Sequence, residues 1–176
     1  PHFRSSAASD VYKRQPLNTE GINNIASGYK ALYNNTTANN NLAFGYQTLY
    51  ANRTGAGNIA IGTDALFSNT EGGLNMASGY QALYSNTTGS DNLAFGYQTL
   101  FSNLIGIRNV ASGTQALALN TGDANTAFGF YALRNTSTGS YNTASGSFAL
   151  DGNTTGSYNT AIGYSADVGY NNLINA

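Results

Sequence analysis

Six acidic residues, Asp64, Glu71, Asp91, Asp123, Asp151 and Asp167, are the main candidates for reactive chemistry between residues 21 and 170. A carboxylate pair for acid–base work must be held at fixed separation across a cleft. These six fall at different phases of the chain's repeat, so they read as solvated surface charge. Cysteine is absent, which removes disulfides, thiolate metal sites and a thiol nucleophile. The one histidine is His2, so the serines of the recurring A-S-G triplets (Ser27, Ser78, Ser112, Ser145) have no imidazole to activate them. No G-x-x-x-x-G-K-[ST] phosphate loop occurs, nor the recurrent aspartate of calcium-binding β-rolls. The chain is expected not to be an enzyme and to need no cofactor or metal.

Two other chemistries are written at regular spacing. Aromatic residues recur at Tyr33, Tyr50, Phe67, Tyr84 and Phe101, and tyrosine again at Tyr29, Tyr46, Tyr80, Tyr97 and Tyr164. Such columns read either as a stacking platform for a sugar or other ligand, or as a ladder that stabilises the fold; the ladder needs no ligand and is favoured. Glycosylation sequons stand at Asn34, Asn35, Asn52, Asn86, Asn135 and Asn153. They recur because N-T-T is a loop consensus, so they read first as turn residues and second as a sugar column.

The element that positions all of these is a repeat. Glycine recurs at 28, 45, 62, 79, 96, 113, 129, 146 and 163, a spacing of 17 residues with one step of 16. Alanine always stands two residues before it and asparagine four before, and leucine stands four after in eight copies. Asn92 to Leu100 repeats Asn41 to Leu49 letter for letter, which indicates duplication of three-unit blocks. Helical repeats run to 33 residues or more, and the N-T-T-G and N-R-T-G loops are turn chemistry. The fold class expected is all-β, a parallel β-solenoid (β-roll) of about nine 17-residue coils over residues 17–170. Each coil is expected to hold two short strands, roughly N-x-A-x-G-x and x-A-L-x, stacked at about 4.8 Å.

Side chains alternate along a strand. Asn, Ala and Gly are small and invariant, so they are placed inside with Leu32 and its equivalents, the asparagines forming a ladder. The other face carries Ile25, Leu42, Phe44, Ile59, Ile61, Leu93, Phe95, Phe128 and Ile162. An exposed apolar stripe of that length calls for a cover. A homo-oligomer with cyclic symmetry, a trimer, or a filament supplies it. The competing arrangement turns the bulky residues into a wider monomeric coil. Towards the C-terminal end Thr126, Thr143 and Thr160 replace the aliphatic residue before alanine.

These units resemble the head repeats of trimeric autotransporter adhesins, N-S-V-A-I-G-x-x-A/S. The nearest matches are Asn159-Thr-Ala-Ile-Gly163 and Asn58-Ile-Ala-Ile-Gly62. They are still more similar to the N-T-A-x-G-x-x-A-L-x-x-N-T-T-G arrays of bacterial surface proteins and phage tail-fibre-like proteins, where such arrays often precede a self-cleaving chaperone domain. The resemblance covers about residues 21 to 170. It implies a left-handed parallel β-roll, assembled as a trimer, acting as an adhesin head or fibre segment with a host-surface or carbohydrate ligand. The unit here is longer than the adhesin head repeat, and the chain as read carries no anchor, stalk or chaperone domain, so the resemblance extends to the array alone.

Composition agrees with this class. Charged residues are 9% and the net charge is −1, which removes the electrostatic case for nucleic acid. No apolar run approaches the ~20 residues of a membrane span, so no membrane insertion is expected. Localisation is read as extracellular, on a cell surface or in a phage fibre. A solenoid that binds ice or carbohydrate through threonine or aromatic columns is the alternative, although Arg53 and Leu104 interrupt the loop threonine column Thr36, Thr70, Thr87 and Thr121. Residues 1–16 match no unit, and SSAASDVYKRQ resembles translated sequencing-adapter read-through. Residues 171–176 end before the next anchor glycine, which reads as a fragment of a longer fibre.

Overall fold

A computed structural model describes residues 17–167. The expectations for residues 1–16 and 171–176, and for the last three residues of the array, lie outside the described residues. Nine three-residue strands form one parallel sheet in sequential order. They are β1 Ile25–Ser27, β2 Leu42–Phe44, β3 Ile59–Ile61, β4 Met76–Ser78, β5 Leu93–Phe95, β6 Val110–Ser112, β7 Thr126–Phe128, β8 Thr143–Ser145 and β9 Thr160–Ile162. The register advances by one repeat at every step: Ala43 pairs with Ala60, Ala60 with Ala77, and Val110 with Thr126 across the shortened unit. The chain is a β-solenoid.

The core is built from three columns: the strand alanines, the alanine or threonine before the leucine, and the leucines. The strand alanines and the leucines of the A/T-L pair are closed to solvent from Leu32 to Leu150, with Ala43, Ala60 and Ala77 fully buried. Where threonine replaces the alanine before leucine, it remains buried and uses its hydroxyl. Thr48 Oγ1 donates to Gly62 O at 2.9 Å, and Thr99 Oγ1 to Gly113 O at 2.8 Å. This explains why A and T interchange there: the pocket is methyl-sized and faces a carbonyl of the next coil.

Each coil contains one strand rather than the expected two. The A-L segment is a turn, because the residues on either side of its buried Ala or Thr are left-handed: Gln47 has φ 51 and Leu49 φ 52, and the same two positions repeat in the other coils. A third left-handed residue precedes the strand asparagine, as at Asn40 with φ 59. A left-handed non-glycine residue costs about 1 kcal/mol or more. The turn is retained because its backbone is still paired between coils. Leu49 N–H donates to Ala65 O at 3.0 Å and Gln47 N–H to Tyr29 O at 2.8 Å, so one coil gives bonds to both neighbours.

The asparagines form two ladders. In the first, each Oδ1 accepts the backbone N–H of the next asparagine, as from Asn41 to Asn24 at 3.0 Å and from Asn58 to Asn41 at 2.9 Å. Its Nδ2 crosses the coil to a loop glycine, Asn41 to Gly55 O at 3.0 Å, and so closes the coil on itself. The second ladder is built from the loop asparagines three residues after the leucine. Asn52, Asn69, Asn86 and Asn103 each donate Nδ2 to the Oδ1 of the asparagine before them, at 2.7–3.2 Å. Buried amides are stabilising when both donor and acceptor are satisfied, which this geometry does for most of the rod.

Candidate functional site

Three surfaces carry what the sequence singled out. The first is the outer face of the sheet. With alanine inward, the residues before and after it point away from the core. Ile25, Phe44, Ile61, Phe95, Phe128 and Ile162 are exposed, and Leu42, Ile59 and Leu93 half-exposed. Phe44 and Phe95 each keep 40% of their surface open, and Ile162 keeps 75%. The arrangement with bulky residues inside is thereby excluded: the interior is filled by alanine, leucine, threonine and asparagine. Thr126, Thr143 and Thr160 stand in register on this face in the last three strands.

The second surface is aromatic. Tyr33, Tyr50, Phe67, Tyr84 and Phe101 stack with centroids 5.1–5.6 Å apart and planes within 10°. Each inner ring thus has both faces covered by its neighbours, and the column presents ring edges outward. Sugars stack on faces, so this geometry matches a structural ladder. One residue after each anchor glycine runs a second column, with Tyr29 stacked on Tyr46 and Tyr80 on Tyr97 at 5.2 and 5.4 Å. Between the two columns lies an amide row, where Gln98 Nε2 donates to Gln81 Oε1 and Gln115 Nε2 to Gln98 Oε1. Lys30 closes its N-terminal end, Nζ lying 5.3, 5.6 and 5.8 Å from the centroids of Tyr29, Tyr33 and Tyr50. These amide and ammonium groups were not singled out in the sequence; the signal was glutamine recurring two residues after the glycine.

The third is the loop edge with the sequons. Asn35, Asn52, Asn86 and Asn153 are fully buried. Their Nδ2 groups are held by backbone carbonyls, as Asn35 is by Ala38 O and Asn153 by Gly156 O. A glycan on any of them would have to pass through the wall of the coil, so the sugar-column reading fails for these four. Asn34 and Asn135 are half-exposed, and Asn135 Nδ2 donates to Asp151 O and Oδ1 at 2.9 and 3.2 Å.

Among the described residues Asp151 and Asp167 are near enough to feel each other's charge, and no third carboxylate groups with them. Asp123 Oδ1 accepts Ile107 N–H at 2.9 Å and serves the backbone. Glu71 and Asp91 are exposed loop residues. Burial raises the Asp151 carboxyl above the ordinary aspartate value, with Arg134 pulling it down and Asp167 pushing it up. Among the described residues no three His, Cys, Asp or Glu side chains group as metal ligands would. No helix among them is long and apolar enough to cross a membrane.

Comparison of the chain with protein-family models, with curated proteins and with solved structures gives no match.

Proposed function

We propose that this chain is a structural or adhesive segment of an extracellular fibre or surface adhesin, and that its rods assemble through the outer face of the sheet into a homo-oligomer, a trimer. The observation that supports the reading is the apolar stripe. Phe44, Ile61, Phe95 and Phe128 project from a slim solenoid whose own core has no place for them. Water penalises such a row by about 25 cal/mol per Å² left exposed, and parallel packing of identical rods removes it from water along its whole length. The repetition of one unit, with no metal-ligand-like group of three or more His, Cys, Asp or Glu among the described residues, fits a scaffold that displays or spans.

Replacing Phe44 and Phe95 together by Asp tests this. Light scattering should give the parent about three times the 18.4 kDa chain mass, and the double variant a folded monomer. A parent that is itself monomeric overturns the reading. Circular dichroism of both proteins separates dissociation from unfolding.

A further inference from the structure

We propose a second, separate site: a slot for a primary ammonium group between Tyr46 and Tyr80, with Thr63 and Asp64 at its floor. It goes beyond the assembly reading and does not rest on it. The column after the anchor glycines reads Tyr29, Tyr46, Thr63, Tyr80, Tyr97, Thr114, Phe130, Ser147 and Tyr164. Tyr46 spends one face on Tyr29 and Tyr80 one face on Tyr97. The coil between them carries Thr63 in place of a ring, so no ring lies against their other faces, and the two tyrosines stand two coils apart, on the order of 10 Å. Both rings remain open to solvent, at 49% and 45%.

The structure shows what enters such a gap. In the coil of Ser147 the following residue, Phe148, reaches the rings on both sides, Phe130 at 5.3 Å and Tyr164 at 6.1 Å, edge-on to each. Asp64 holds that same position in the coil of Thr63. A carboxylate is too short to fill the space a benzyl group fills. It also interrupts the amide row, and its Oδ1 is buried with no hydrogen-bond donor. Two ring faces beside a carboxylate that has one oxygen without a donor suit a cation, and the missing donor calls for one that carries N–H. The same corner already holds an ammonium, that of Lys30 among Tyr29, Tyr33 and Tyr50. The gap at Thr114 is the neutral counterpart, because Gln115 is bonded into the amide row.

The test is a titration of the whole chain with n-butylammonium chloride, read by NMR on the ring resonances of Tyr46 and Tyr80. Saturable shifts are expected with a Kd on the order of 1 mM, and weaker binding of tetramethylammonium, which has no N–H. Asp64→Asn should raise Kd about tenfold or more. Thr63→Tyr, which completes the ring column, should abolish binding. Nα-acetyl-lysinamide in a parallel arm separates the sources: tighter binding than butylammonium assigns a peptide lysine, equal or weaker binding a free amine, and either supports the slot. Shifts that do not saturate, that persist unchanged in Asp64→Asn, or that appear equally at Tyr97 and Phe130 overturn it.

Discussion

Glycine is required for two different reasons along this chain, and a pair of substitutions separates them. Gly79 has φ +143, and a Cβ there would lie 2.2 Å from the carbonyl oxygen of Gly96 in the next coil. Neither backbone can retreat without breaking its bonds to a further coil. Gly79→Ala should therefore cost roughly 3 kcal/mol or more, seen as a fall in the urea midpoint. Gly57 has φ +71, at a position where other coils carry Asn40, Leu74 or Asp91, and an added Cβ meets the flexible end of Leu74. Gly57→Asn should change stability by no more than about 0.5 kcal/mol. Asp151 gives a pH signature. Burial holds its carboxyl above the ordinary value, so between the ordinary and the raised value the native state keeps a proton that the unfolded chain has lost. Stability from this group is then present at acid pH and declines as pH rises through the folded value. Asp151→Asn should unfold at higher urea than the parent at pH 7, by a margin kept small by solvent screening, and the gap should close as the pH falls below the ordinary aspartate value.

At the scale of the coil, the unit shortened to 16 residues shows what the loop length maintains. One residue is missing between Asn120 and Gly122. Asn120 Nδ2 keeps the bond to its loop glycine, Gly122 O at 2.9 Å, that Asn52, Asn69, Asn86 and Asn103 also make, but it does not reach back, and Asn103 Oδ1 is left buried without a donor. Inserting Thr after Thr121 restores the N-T-T-G loop. It should return that bond and raise stability by about 1 kcal/mol, measured by urea unfolding. The same coil logic explains what could be read in advance. Register, parallel stacking and the inward alanine and leucine columns followed from invariance at fixed spacing, because a stacked position tolerates only what its neighbours tolerate. The A-L segment misled because alternation of a small and a large apolar residue suits a strand as well as a left-handed turn. Only the closure of the coil decides between them, and closure is not a local property. The N-T-T asparagines misled because turn chemistry and sequon chemistry share the same letters. Their constant place three residues after leucine, from Asn35 to Asn103, was the overlooked sign of burial. The proposed ammonium slot was legible only as an irregularity, Thr63-Asp64 where the coils on either side carry Tyr46-Gln47 and Tyr80-Gln81.

For the molecule as a whole, each coil touches only the one before and the one after, so its stability is close to a sum of coil terms and nearest-neighbour terms. The aliphatic column before the strand alanine is continuous over the first six strands and is replaced by threonine in the last three. An assembly that buries this face is consequently bound most strongly at its N-terminal end. The hydrogen bonds between coils run along the axis, and none of the strands spans more than one coil. A tensile load applied to the two ends is then met by one rung at a time, as in a zip. Every rung that yields releases on the order of 55 Å of slack, so a pulled rod lengthens in many small, equal instalments and absorbs work without ever parting all at once.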